Sequence, residues 1–111
     1  MKKTFTAVVS RNETFATPFE TEPYECAWAG EARWFIRLLK TAGAGRLRLR
    51  AQLSPDGLHW CDAEGPGLTI SGEGGLHSLP VANFGGWLRL RGEIEGDGAS
   101  FTLIVHLVLK E

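Results

Sequence analysis

Seven residues have types and spacing suited to act together: Arg46, Arg48, Arg50, Trp60, Trp87, Arg89 and Arg91. Arg46, Arg48 and Arg50 recur at every second position, so an extended chain projects them from one face. Trp87, Arg89 and Arg91 repeat that spacing further along. Guanidinium groups stack on indoles, worth about 0.5–1 kcal/mol per exposed contact. Arg and Trp are also the types enriched at protein–protein hot spots. The chemistry this implies is recognition, with the Arg/Trp face docking on another copy or on a larger protein assembly. The plainer reading is a solvated sheet face whose arginines cover aromatic surface and pair with Glu93, Glu95 or the acidic connector 20–25. Trp60 joins the face only in one hairpin register. A three-residue loop with a glycine bulge sets it opposite Gln52, on the arginine side, and another register returns it to the core.

Other reactive types are scattered. His59 and Cys61 are two apart, with Cys26 and Asp62 as conceivable co-ligands, yet no C-x-x-C or H-E-x-x-H spacing supports a metal. Asp56 and Asp97 sit in glycine turns, where turn chemistry explains them without calcium. His59, His77 and His106 lie far apart, and neither G-x-S-x-G nor a convincing acid pair accompanies them. His106, mid-strand, reads as a packed residue. The glycine runs 72–75 and 85–86 lack the strand–loop–helix setting of a phosphate loop. No enzyme, metal or cofactor is indicated.

The elements that must position the arginines are strands. Residues 45–60, GRLRLRAQLSPDGLHW, alternate Leu47, Leu49, Ala51 and Leu53 with Arg46, Arg48, Arg50 and Gln52, a strand with one buried face. Ser54-Pro55-Asp56-Gly57 then forms a type I turn, so this stretch is one hairpin arm, a turn and the next arm. Residues 87–95 place Leu88, Leu90 and Ile94 on one side and Trp87, Arg89, Arg91, Glu93 and Glu95 on the other. The last strand, residues 100–110, is apolar on both sides and belongs in the middle of its sheet.

Around these, residues 4–10 form a first strand, 11–13 a turn, and 14–20 a second strand that Pro18 confines to an edge. Residues 31–40 have the composition of a helix, but Trp34, Ile36 and Leu38 alternate with Arg33, Phe35 and Arg37, and the aromatic content favours a strand. Residues 41–45 (TAGAG) read as a hairpin loop into the arginine strand, and Gly96-Asp97-Gly98 as another hairpin. Residues 61–67 are a loop, 68–70 a short strand, 71–75 a glycine-rich turn, and 76–84 short extended pieces broken by Pro80. Short strands with turns every 8–12 residues and fourteen glycines specify an antiparallel β-sandwich of about eight strands, a jelly roll, with a barrel as the alternative.

The totals agree with one domain spanning residues 1–111. Apolar residues make up 43% and the net charge is −1, so nothing pulls the chain toward nucleic acid or an acidic membrane. Charge is blocked instead: residues 33–50 hold six basic side chains and no acid, and residues 51–75 hold four acids and no Lys or Arg. Such blocks can meet across strands or across a subunit boundary. The apolar run at the start ends at Ser10-Arg11-Asn12-Glu13, too short for a secretory signal. The expected location is cytoplasmic or within an assembly such as a virion. Two cysteines are too few for a disulfide framework and read as buried free thiols.

Ser54-Pro55-Asp56-Gly57-Leu58-His59-Trp60 resembles the S-x-D-G-x-x-W hairpin of discoidin-type jelly-roll domains, and Val81 to Leu90 (VANFGGWLRL) resembles a later strand of the same domains. The pair, followed by a strand–glycine turn–strand ending, is also similar to small phage structural proteins. The resemblance covers roughly residues 32–109 and implies a β-sandwich. Its first functional implication is a virion or capsid-associated structural module that self-assembles. The alternative is a small carbohydrate-binding jelly roll with an exposed Trp28, Trp60 or Trp87 in a shallow groove. The ligand loops of discoidin-type domains have no counterpart here, which weakens the glycan implication.

Overall fold

The computed structural model describes residues 2–71 and 74–111. Ten strands form in chain order: β1 (Thr4–Phe15), β2 (Phe19–Glu20), β3 (Tyr24–Glu25), β4 (Glu31–Ala42), β5 (Arg46–Ser54), β6 (Cys61–Asp62), β7 (Leu68–Ile70), β8 (Gly75–Val81), β9 (Trp87–Glu95) and β10 (Ser100–Lys110). They pair antiparallel in two sheets. The first has the order β1-β10-β4-β8. The second has β9 and β5 at its centre, with β2 and β3 along the free side of β9 and β6 and β7 along the free side of β5. Counting each short pair as one interrupted strand leaves eight positions, and the order is that of a jelly roll. The two separate sheets rule out the barrel alternative.

Period-two alternation fills the space between the sheets. Trp34, Ile36 and Leu38 of β4 and Phe101, Leu103, Val105 and Leu107 of β10 face Leu47 and Leu49 of β5 and Leu88 and Leu90 of β9, all buried. Burial of this kind contributes about 25 cal/mol per Å2 of apolar surface. The apolar inward row therefore forces residues 31–42 into a strand despite their helix-like composition. β10 is central, as its two-sided apolar pattern requires.

Both expected glycine hairpins are corrected. β4 and β5 lie in different sheets, so the 41–45 turn crosses between sheets instead of closing a hairpin, and the 96–98 turn does the same between β9 and β10. The two crossings pack backbone to backbone: a Cβ at Gly45 would strike the Glu95 carbonyl, and one at Gly96 the Ala44 carbonyl. Glycine serves that close approach here, a demand separate from turn type. The expected turn at residues 11–13 is also replaced. β1 runs on to Phe15 beside β10, absorbing the extra residues in two register shifts, with Asn12 at φ 52°. Asn tolerates that conformation at a bulge. Pro80 does not break β8, because β8 is an edge strand and needs no inward N–H there. Of the expected turn at 71–75, Gly72 and Glu73 lie outside the described residues.

Candidate functional site

The structure sets the β5 and β9 arginines on the outer face of the second sheet. In the antiparallel register Arg46 is opposite Glu95, Arg48 opposite Glu93, Arg50 opposite Arg91, Gln52 opposite Arg89 and Ser54 opposite Trp87. Directly opposite side chains share a face, so one ladder gathers Arg46, Arg48, Arg50, Trp87, Arg89 and Arg91.

Most of these arginines already have partners in the chain. Arg48 Nε lies 2.9 Å from Glu95 Oε1. Arg91 Nη1 donates to Glu20 Oε1 at 2.9 Å, and its Nε reaches Glu93 at 3.5 Å. Arg50 Nε lies 3.8 Å from Asp62 and its Nη1 donates to the Gly65 carbonyl at 3.3 Å. Arg89 Nε donates to Gln52 Oε1 at 2.8 Å, while Gln52 Nε2 donates to Asp62 Oδ1 at 3.0 Å. The basic and acidic blocks thus meet within one chain through Arg50 and Asp62, and the remaining acids come from β2 and β9. Exposed pairs of this kind contribute only about 0–1 kcal/mol each. Their result is a solvated, charge-balanced surface. An open groove of about 490 Å3 runs between Arg48, Arg50 and Arg91 and the 66–69 segment.

The two indoles are also engaged. Arg89 Cζ sits 4.3 Å from the ring centroid of Trp60, so Trp60 is on the arginine side. It arrives there by another route than the short bulged loop. β5 pairs with β6 through Gln52 opposite Asp62 and Leu53 opposite Cys61, which leaves residues 55–60 as the loop. Ser54 and Asp56 build that loop. Ser54 Oγ accepts from the Gly57 N–H at 2.8 Å and the Asp56 N–H at 3.2 Å. Asp56 Oδ1 accepts from the N–H groups of Leu58 and His59 at 2.8 and 2.9 Å, and Oδ2 meets His59 Nδ1 at 2.8 Å. Donors from the His59 backbone and ring, then from the Leu58 backbone, hold the Asp56 carboxyl well below the usual carboxylate range. Gly57, at φ +80°, lies flat against Trp87; an added Cβ would sit 3.2 Å from the indole. What this rigid loop exposes is Leu58, 78% accessible at its tip.

The outer face of the first sheet carries a feature that reading strand by strand had missed. Val8, His106, Phe35 and Ser78 line up across β1, β10, β4 and β8. Val108, Arg33 and Pro80 form the next row toward one end, and Ile104, Arg37 and Leu76 the row toward the other. Leu76 is 65% accessible and Val8 40%, while Phe35, Ile104 and Val108 are half-buried. Apolar side chains from all four strands therefore share this face with His106, Ser78, Arg33 and Arg37, and Arg33 Nη1 donates to Ser78 Oγ at 3.0 Å. The available sequence signal was the apolar second face of β10, which also fits a buried strand.

The remaining candidates separate. His59 is held by Asp56 in the loop, and exposed Cys61 points its thiol at the Leu53 carbonyl, 3.8 Å away. Among the described residues no three His, Cys, Asp or Glu side chains converge on a metal position. Both cysteines are free, but only Cys26 is buried, which corrects the expectation for Cys61. Burial, then the nearby Glu25 charge, pushes the Cys26 thiol up to about 11. Among the described residues no helix is long and apolar enough to cross a membrane.

No family model matches the chain, and no curated protein matches it. Among solved structures it is similar to the infectious bursal disease virus Gt strain, with TM-score 0.67 at 8% identity over 98% of this chain and 32% of that one. The Gx strain of the same virus gives 0.64 at 10% identity, over 99% and 33%. The chain thus spans about a third of the length of these viral chains, and the likeness shows a shared β-sandwich fold. TmCBM61 in complex with β-1,4-galactotriose gives 0.49 at 16% identity over 90% of this chain and 66% of that one.

Proposed function

We propose that this chain is a non-enzymatic structural module that assembles with a second copy of itself through the outer face of the first sheet. The observation that carries the reading is the apolar character of that face, with Val8 and Leu76 exposed and Phe35, Ile104 and Val108 half-buried. Contiguous exposed apolar surface marks an interaction site more often than a solvated face. Four strands at ~4.8 Å spacing and about ten residues at ~3.4 Å each give roughly 650 Å2 per copy. Two copies then bury about 1,300 Å2, within the ~1,200–2,000 Å2 of stable specific interfaces.

Charge complements this pairing. Lys110 and Glu31 are directly opposite each other on β10 and β4. A two-fold axis running between those strands sets Lys110 of one copy over Glu31 of the other and His106 over Phe35. The sheet edges are poor alternatives: β1 is kinked by its two register shifts and β8 carries Pro80. A particle-associated role draws on the likeness to the two infectious bursal disease virus structures, since a virus particle repeats its components. Light scattering after size exclusion, over a range of concentrations, is expected to give a closed oligomer that persists at high salt. A monodisperse monomer at high concentration would overturn the reading.

A second reading, a small carbohydrate-binding module, rests on Trp28, an indole at the surface beyond β3 and 37% accessible. Trp60 and Trp87 offer less, since Arg89 and Gly57 already occupy a face of each. Titration with soluble oligosaccharides is expected to shift tryptophan fluorescence in the wild type and not in Trp28→Ala. Failure of every neutral and acidic oligosaccharide to shift it removes this reading.

A further inference from the structure

The second sheet is interrupted along the free side of β5. β6 leaves β5 at Asp62, opposite Gln52, and β7 rejoins it at Leu68, opposite Leu49. Five residues, 63–67, therefore span the two positions of β5 between those pairings, and the excess length breaks the ladder there. The segment is anchored at both ends. The Ala63 N–H donates to the Ala51 carbonyl at 2.9 Å, and Gly67 lies against the Leu49 carbonyl, where a Cβ would strike it. The open groove of about 490 Å3 lies beside this interruption, next to Arg50.

Two like charges face each other in that groove. Arg50 and Arg91 are directly opposite on β5 and β9, the one pair of arginines so placed along that ladder. Like charges directly opposite destabilise a sheet. The nearby acids relieve this only in part. Asp62 is 3.8 Å from Arg50 Nε, beyond hydrogen-bond reach, and Arg91 is drawn toward Glu20 and Glu93. Among the described residues the contacts of both guanidiniums fall on Nε and Nη1. Such exposed pairs are weak and can open toward a better partner.

The lining defines that partner. Arg48, Arg50 and Arg91 against Asp62 and Glu93 leave a balance of one positive charge. One negative group completes the groove, whereas a polyanion meets two carboxylates. Guanidinium forks hold a carboxylate through two parallel hydrogen bonds. Asp62, Glu93 and the hydroxyl of Thr69, which lies opposite Arg48, add acceptors for hydroxyl groups. The volume falls within the ~300–1,000 Å3 of small-molecule sites.

We propose that this groove binds a carboxylate-bearing sugar within an oligosaccharide. The carboxylate sits between Arg50 and Arg91, and the sugar hydroxyls meet Asp62, Glu93 and Thr69. The site lies on the opposite sheet from the self-assembly face and does not use Trp28, so it stands apart from both readings above.

The test is calorimetric titration at low salt with trigalacturonate, a hyaluronan tetrasaccharide and sialyllactose, each beside its carboxyl methyl ester. The ester keeps the hydroxyls and removes the charge. At least one acid is expected to bind, and its ester at least tenfold more weakly. Arg50→Ala is expected to lower the affinity at least tenfold with unchanged far-ultraviolet circular dichroism. Arg50→Lys should do the same, since an ammonium keeps the charge and lacks the fork. Arg46→Ala and Trp28→Ala, outside the groove, are expected to bind as the wild type does. Failure of all three acids would overturn the proposal, as would an ester that binds as well as its acid. Inorganic sulfate binding as tightly as the sugar would reduce the groove to a plain anion site and overturn it too. Binding lost in Trp28→Ala and kept in Arg50→Ala would place the sugar at the indole instead. None of these outcomes touches the solution mass on which the self-assembly reading depends.

Discussion

On the second sheet, alternation sends Arg46, Arg48, Arg50, Arg89 and Arg91 outward, and Glu20, Asp62, Glu93 and Glu95 meet most of them at the surface. On the first sheet, the same alternation sends out Val8 and Leu76, which are exposed, and Phe35, Ile104 and Val108, which are half-buried. Both faces back onto one core, yet one is charged and largely paired within the chain and the other carries more apolar surface. Residues that look most like an interface by type are here the ones already paired. In the proposed assembly, the surface that gains most from a second copy is built mostly of ordinary aliphatic side chains. Residue type proposes an interface, and the state of its partners decides how much a new contact adds.

The sharpest way to separate the faces uses β10, which shows one side to the core and one to solvent. Leu103→Ala on the inner side is expected to cost about 2–5 kcal/mol in urea unfolding. Ile104→Ala, its outward neighbour, is expected to cost under ~1.5 kcal/mol in a dilute monomer and to weaken association instead. Equal costs at both positions would mean that the outer face is covered within the chain. Next in size is Ser54→Ala, which strips acceptors from the Asp56 and Gly57 N–H groups and is expected to cost about 1–2 kcal/mol.

On the charged face the effects shrink. Arg48→Ala is expected to change stability by less than ~1 kcal/mol and to leave the solution mass unaltered. A shift well beyond that would show that the arginine ladder carries more than a solvated surface. The Asp56 carboxylate gives a pH signature with a definite sign. Its folded-state pKa is depressed, so its contribution is complete above the ordinary carboxylate range near ~4 and fades as pH falls toward the lower folded value. The melting-temperature gap between wild type and Asp56→Asn should therefore be open at pH 7 and close below about pH 4. A gap that widens on acidification would contradict the hydrogen bonding seen in the loop.

Much of the fold was legible because burial writes itself as alternation. β5, β9 and β10 read directly, and β4 read as a strand once Trp34, Ile36 and Leu38 were placed on one side. The glycine crossings were not legible. Residues 41–45 and 96–98 specify a tight turn, but turn chemistry does not say which sheet the next strand joins. The Arg/Trp ladder was found by spacing, while its partners were spread from Glu20 to Glu95. The apolar face was hidden for a related reason: Val8, Phe35, Leu76 and Val108 come from four strands, and only the β1-β10-β4-β8 order makes them neighbours.

The most direct test of the central claim compares solution mass for the wild type, Val108→Asp and Arg50→Glu at equal concentration. The wild type and Arg50→Glu are expected to be oligomeric, and Val108→Asp a folded monomer. Dissociation of Arg50→Glu with an intact Val108→Asp oligomer would contradict it and make the arginine face the interface.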